Sequence, residues 1–209
     1  HYVLDLWFEK CIKKQLHGEA YLVRFADDFL IMFQYERDAQ RVYEAIIRRM
    51  ELFGLELSKE KTRILPFGRN CGTRETFDFL GFTHFNSKTR KGYYSVGHKI
   101  SRKKKKQFKS NLKKWVKENR DKQFDEFMKK LNKKLTGSFN YYSLSGMIRE
   151  VRSLWIHSLY VTFKWMNRRS QRRSFKLERF YEIWHERIIH PYIHVDIWSG
   201  DKVIYNKKV

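Results

Sequence analysis

Cysteine is nearly missing from this sequence: Cys11 and Cys71 are the only two in 209 residues. They lie far apart and outside any metal-ligand spacing, so there is no disulfide framework and no zinc-site pattern. Long apolar runs are missing as well. None approaches the roughly 18 residues of a membrane helix, and no segment has the layout of a secretory signal. No membrane partner is therefore expected, and the expected location is cytoplasmic. Acid is scarce in the second half of the chain. Residues 1–100 hold 17 Lys and Arg against 13 Asp and Glu, whereas residues 101–209 hold 28 against 10. Most of the formal charge of +22 thus belongs to the second half. Such a balance points to a polyanion partner, and the aromatics interleaved with the basic residues favour nucleic acid over a membrane surface. With 42% hydrophobic and 17% aromatic residues, the chain has ample material for a folded core, which excludes a disordered polymer. Two domains are expected, over residues 1–100 and 101–209.

What is present centres on Tyr21 to Phe33, Tyr-Leu-Val-Arg-Phe-Ala-Asp-Asp-Phe-Leu-Ile-Met-Phe. Two apolar runs flank a pair of adjacent carboxylates, which predicts a strand, a tight turn carrying the acids, and a second strand. Charge beside a core is costly unless a cation compensates it, and Mg2+ with a substrate phosphate does so. Asp27 and Asp28 are therefore candidate metal ligands. The plainer reading is a hairpin whose turn uses Asp for local backbone bonding.

In order, the chain opens with Val3, Leu4, Trp7, Phe8 and Ile12 at helical spacing, and with no cap before them it reads as a helix entered partway along. His17-Gly18-Glu19 breaks it. After the acidic hairpin, residues 37–53 form an amphipathic helix with Ala39, Val42, Ile46, Met50 and Phe53 on its apolar face and Gly54 at its C-terminal cap. Residues 54–66 alternate, turn and return, predicting a short strand pair that ends at Pro66. Residues 76–82 read as one strand, and Gly81 marks a place where something approaches the backbone closely. Tyr93 and Tyr94 after Lys91-Gly92 predict a last hairpin. From Ser101 the pattern is helical and basic, with helices over 102–119, 124–135 and 147–166 whose apolar faces can close a bundle. His185, His190 and His194 have no spacing that suggests a metal site.

Several of these blocks resemble a known family. Phe-Ala-Asp-Asp at 25–28 looks like the acidic box of reverse transcriptases, with Phe25 where Tyr is commoner. Leu-Ser-Lys-Glu-Lys-Thr at 57–62 resembles the block that follows the box, and Phe-Leu-Gly-Phe at 79–82 resembles the primer grip. Leu131-Asn132, the stretch Leu135-Thr-Gly-Ser-Phe-Asn-Tyr-Tyr-Ser-Leu, and Trp165-Met-Asn-Arg-Arg-Ser-Gln-Arg-Arg-Ser-Phe resemble the maturase-specific thumb, or domain X, of proteins encoded by group II introns.

The resemblance implies an α+β chain, a partial right-hand polymerase palm followed by an α-helical thumb bundle. It implies RNA-directed DNA polymerisation with maturase activity, Mg2+ held by Asp27 and Asp28, and proton donation to the pyrophosphate leaving group by Lys61. On residues alone, Lys61 is an ordinary turn lysine. The implied nucleic-acid contacts are Phe25, Phe79, Leu80 and Gly81 in the palm, with Lys103, Lys104, Lys105, Asn167, Arg168, Arg169, Gln171, Arg172 and Arg173 in the thumb. The same basic residues also fit a nonspecific polyanion patch. Group II intron RNA and a DNA target or primer are the implied partners. The family's fingers and first palm strand, with a further metal-binding Asp, are not found in these residues, and Asp5 on a helix is a poor substitute. A fragment is therefore expected, with an N-terminal reverse transcriptase fragment as a further partner. No Cys- and His-containing endonuclease segment is found either. The alternative is a non-catalytic splicing factor that binds intron RNA.

Overall fold

The computed structural model describes residues 2–58, 60–72, 74–169, 174–193 and 195. Two compact units divide the chain: residues 1–80 with 85–96, and residues 81–84 with 97–209.

In the first unit the N-terminal residues coil as their spacing requires, but not as one α-helix. Wide π turns cover Tyr2–Leu6 and Phe8–Ile12, and a tight 3-10 turn covers Lys13–Gln15. Leu4, Phe8 and Ile12 still face inward and are buried. Strands β1 (Ala20–Phe25) and β2 (Asp28–Phe33) pair antiparallel, with Ala20 opposite Phe33 and Phe25 opposite Asp28. Alternation sends Ala20, Leu22, Phe29, Ile31 and Phe33 to one face. That face packs with Leu4, Phe8 and Ile12 against Val42, Ile46 and Met50 of helix α1 (Glu36–Leu52). The helix ends as Gly54 predicts. Gly54 N–H donates to the Glu51 carbonyl and Leu55 N–H to that of Met50, with Gly54 at φ 65°, which is a Schellman cap.

A buried carboxylate ties the start of α1 to the break before β1. Asp38 accepts hydrogen bonds from the backbone N–H groups of His17 and Gly18 at 2.9 and 3.2 Å, and its other oxygen lies 3.0 Å from His17 Nδ1. The His17 side chain, and after it the two backbone donors, hold the Asp38 carboxyl below the ordinary carboxylate range against the opposing effect of burial. A carboxyl depressed on folding contributes stability that is complete above its unfolded pKa, about 3.9, and is lost as pH falls through the folded value. Asp38→Asn is thus expected to lower the melting temperature near neutrality, with the gap to the parent narrowing as pH drops below about 3.9. Thermal melts across pH check this; a gap that stays constant into acid contradicts it.

Two sequence expectations fail between residues 54 and 82. Residues 54–66 contain no strand among the described positions. A turn holds them instead: the Ser58 carbonyl accepts from the Lys61 and Thr62 N–H groups and from Thr62 Oγ1. Leu55 and Ile64, the residues a ladder would have buried, are exposed. Residues 76–82 are not one strand. They form β3 (Thr76–Phe79), a turn, and the start of β4 (Phe82–Lys88). Leu80 and Gly81 sit at φ 51° and 83°, the positive pair of a two-residue type I′ turn. The glycine is there first for its backbone. The last hairpin matches its prediction, since β5 (Tyr94–Ile100) follows a turn in which Thr89 N–H donates to the Tyr93 carbonyl and Gly92 N–H to that of Thr89. The three strands lie in the order β3-β4-β5.

From residue 102 the second unit is helical: α2 (Arg102–Asn119), α3 (Phe124–Tyr142), α4 (Ile148–Met166) and α5 (Leu177–Arg187). Ser101 caps α2, its Oγ accepting from Lys104 N–H. Its own N–H donates to the Gly81 carbonyl. Leu112 and Val116 of α2, Phe127, Leu131 and Leu135 of α3, and Val151, Leu154 and Leu159 of α4 are all buried. The sequence ended α3 at Leu135, but the helix continues through Gly137 because Phe139 remains on the buried face. Helix α5 was not foreseen. Phe180 and Trp184 are fully buried on it, and Trp155 of α4 meets Trp184 edge to face while donating through Nε1 to the Ile189 carbonyl at 3.0 Å. No helix among the described residues is long and apolar enough to cross a membrane.

Candidate polymerase and nucleic-acid sites

The acidic hairpin is built by its turn. Phe25 pairs with Asp28, which leaves Ala26 and Asp27 as the two connecting residues, and Ala26 takes φ 51°. A positive angle at the first central position alone matches the sign pattern of a type II′ turn. Arg24 braces it. The guanidinium donates to the Ala26 carbonyl at 2.9 Å and forks onto both Asp5 oxygens, each at 2.7 Å. That hydrogen-bonded guanidinium keeps the Asp5 carboxyl below its ordinary range. Asp5 is therefore committed to Arg24 and is not offered as a metal ligand. Arg24 was not singled out in the sequence, although a charge interrupting an apolar strand was the signal.

Asp27 and Asp28 are both exposed. The expectation that they burden a core is wrong for these residues: the hairpin presents them to solvent at its tip, so no buried charge has to be compensated. Neither carboxylate makes a recorded hydrogen bond or ion pair within the described residues, and no three His, Cys, Asp or Glu gather there into a metal-holding group. Two adjacent, accessible carboxylates are hard oxygen donors of the kind Mg2+ accepts through one or two protein ligands. They fit that ion as part of a site. The outer face of the same hairpin is apolar, with Tyr21, Val23 and Met32 about half exposed and Phe25 65% exposed beside the acids.

Lys61 is exposed on the Ser58–Thr62 turn. Phe79 is half-buried at the end of β3. Leu80 and Gly81 form the turn just described, and a Cβ on Gly81 would lie 3.5 Å from Lys104 Cγ and 3.7 Å from Tyr142 Oη. These are ordinary contact distances, so the positive φ of Gly81, and not a close approach to its backbone, is what calls for glycine here.

The thumb residues expected to bind nucleic acid separate into distinct roles. Lys103 and Lys104 are exposed on the first turn of α2. Lys105 is half-buried and paired with Glu150 of α4 at 2.5 Å, so its charge joins two helices. Asn167 is a correction to the expected donor cluster. Its Oδ1 accepts from Phe175 N–H at 2.8 Å and its Nδ2 donates to the Phe175 carbonyl at 3.1 Å. Both polar atoms close the connection between α4 and α5. Arg168 and Arg169 are exposed; Arg168 lies over the Trp165 ring and Arg169 Nη1 lies 3.9 Å from Met166 Sδ. Gln171, Arg172 and Arg173 lie outside the described residues. Asn132 is likewise structural, its Oδ1 accepting from Ile189 N–H. His185 and His190 do meet, with ring nitrogens 3.1 Å apart, but no carboxylate joins them in a metal-holding group among the described residues. His194 lies outside those residues.

Comparison with known families accounts for both halves. Residues 2–84 match the family model of reverse transcriptase (RNA-dependent DNA polymerase). Residues 105–182 match that of the group II intron, maturase-specific domain. No curated protein matches the chain. The first match contains the carboxylate hairpin and the second contains most of the basic helical unit, and the two in this order are consistent with a group II intron reverse transcriptase/maturase.

Proposed function

We propose that this chain contributes the metal-binding hairpin and the RNA-holding thumb of an RNA-directed DNA polymerase that also assists splicing of its group II intron. The observation that carries the reading is the hairpin tip: adjacent, accessible Asp27 and Asp28, on a turn braced by Arg24, within the segment that matches reverse transcriptase. Asp27 and Asp28 would hold Mg2+, which when bound stabilises charge on the attacking and leaving oxygens of an in-line displacement. Phe25 offers an exposed aromatic surface beside the acids, and the Leu80-Gly81 turn with Lys104 offers backbone and charge to a primer strand. Lys61, exposed on its turn, would follow the triphosphate with its ammonium and release a proton to the leaving group. The remaining carboxylate ligand would come from polypeptide other than these 209 residues, such as a fingers and upstream-palm segment.

The competing reading, an RNA-binding splicing factor without polymerase activity, is favoured by one observation: no third metal ligand joins the pair among the described residues. Both readings require RNA binding. The 209-residue chain is expected to bind a folded group II intron RNA with an affinity that falls about 10³-fold or more between about 50 and 200 mM salt, the loss produced by releasing counterions at six or more phosphates. Titration of labelled RNA at rising salt measures it. An affinity indifferent to salt contradicts the RNA-holding role of the basic unit.

A further inference from the structure

Three cations converge on one ring in the helical unit. Lys117 belongs to the last turn of α2 and Arg120 follows that helix; Trp165 belongs to the last turn of α4 and Arg168 follows it. The two helices pack together, which brings Lys117 Nζ, Arg120 Cζ and Arg168 Cζ to 5.7, 5.5 and 5.4 Å from the centre of the Trp165 ring. Cations at helix C-termini offset the helix dipole, and that explains why basic residues end these helices. It does not explain their gathering about a single indole, where they repel one another and the ring's negative face offsets only part of the repulsion. Among the described residues, the one carboxylate recorded with any of the three is Asp121, whose Oδ1 lies 3.8 Å from Arg120 Nε, beyond hydrogen-bond reach. Arg120 Nε is buried and has no hydrogen-bond partner among the described residues. A shielded donor without an acceptor, in a cluster of three cations with one carboxylate at ion-pair distance, is a site short of an anion.

We propose that Lys117, Arg120 and Arg168, held about Trp165, form a seat for the phosphodiester backbone of a nucleic acid. The indole fixes the cations in place before binding. A phosphate oxygen supplies the acceptor that Arg120 Nε lacks, and its charge relieves the mutual repulsion; a guanidinium is suited to this through its fork of donors. This assignment rests on the RNA-holding role proposed above and adds to it a specific location that does not depend on the bulk charge of the unit.

The test uses the full 209-residue chain with two probes of matched length, a folded group II intron RNA and a DNA duplex, each titrated across salt. Lys117→Gln with Arg120→Gln is compared with Lys129→Gln with Lys133→Gln, an equal loss of charge at exposed positions on α3. The seat predicts that the first pair lowers the salt slope by nearly two, about 0.7 to 0.9 for each lost phosphate contact, while the control pair changes it by less than half as much. Arg168→Gln, at an exposed position that does not endanger folding, should lower the slope by nearly one. A slope change with RNA assigns the seat to RNA, and one confined to the duplex assigns it to a DNA strand. Equal behaviour of the cluster and control pairs, or a lowered melting temperature with unchanged slopes for all three cluster residues, overturns the seat. If the parent chain binds neither probe, the RNA-holding role itself fails.

Discussion

Asp27→Ala is expected to reduce nucleotide addition about 10³-fold or more in an active assembly containing this chain, while its affinity for folded RNA stays unchanged. The size follows from the task assigned to the residue. Charge stabilisation by a bound metal is worth several kcal/mol in the transition state, and each ~1.4 kcal/mol is tenfold in rate. The selectivity follows from position. Asp27 lies on a connecting turn, its carboxylate makes no recorded hydrogen bond or ion pair within the described residues, and it is exposed, so its loss leaves the fold and the basic unit as they were. The effect should fall on the rate of addition and leave primer binding alone, because an interaction made chiefly in the transition state lowers kcat and kcat/KM together. Lys61→Ala should act in the same direction but more weakly, since a solvent proton can replace the one it donates. Single-turnover extension by parent and variants, with RNA binding measured in parallel, separates these effects. A normal rate with Asp27→Ala would remove the carboxylate from the metal site.

The parts of this fold that could be read from sequence are those in which local pattern and burial agree. Apolar residues at helical spacing gave α1, α2 and α4 to within a residue or two, and the alternation around Phe-Ala-Asp-Asp gave β1 and β2, because each has one face that buries and one that does not. The failures have a different origin. In residues 54–66 the alternation was genuine, yet Leu55 and Ile64 remain exposed and the Ser58 carbonyl gathers the local donors into a turn. Residues 76–82 looked like one strand because their aromatics alternate, but positive φ at Leu80 and Gly81 reverses the chain there. Helix α5 was hidden because its anchors, Phe180 and Trp184, are buried through contacts with distant Phe163 and Trp155 that no local window contains. The site divides in the same way. Asp27 and Asp28 stood out as an adjacent pair, whereas the bracing of their turn by Arg24 and Asp5, 19 residues apart, needed three dimensions. Asn167 carried the opposite lesson: it reads as a donor in a basic cluster, and both its polar atoms are engaged with Phe175.

Ligand number leads to the second large effect. Two metal ions that clamp the attacking and leaving oxygens need carboxylates from more than one side. Asp27 and Asp28 come from one hairpin tip, and Asp5, whose partner Arg24 braces that tip, is held by both its oxygens to the guanidinium. Among the described residues the hairpin is also a two-stranded sheet with both edges unpaired and an outer face bearing Tyr21, Val23, Phe25 and Met32, and two strands alone make a marginal sheet. The 209-residue polypeptide is therefore expected to show no primer extension by itself and to gain it, along with solubility, when a fingers and upstream-palm segment covers that hairpin. The decisive measurement is primer extension on an RNA template with Mg2+, using this chain alone, the segment alone, and the two together, each with the parent sequence and with Asp27→Ala. The account predicts extension only from the mixture and only with Asp27 intact; extension by this chain alone, or by a mixture indifferent to Asp27→Ala, contradicts it.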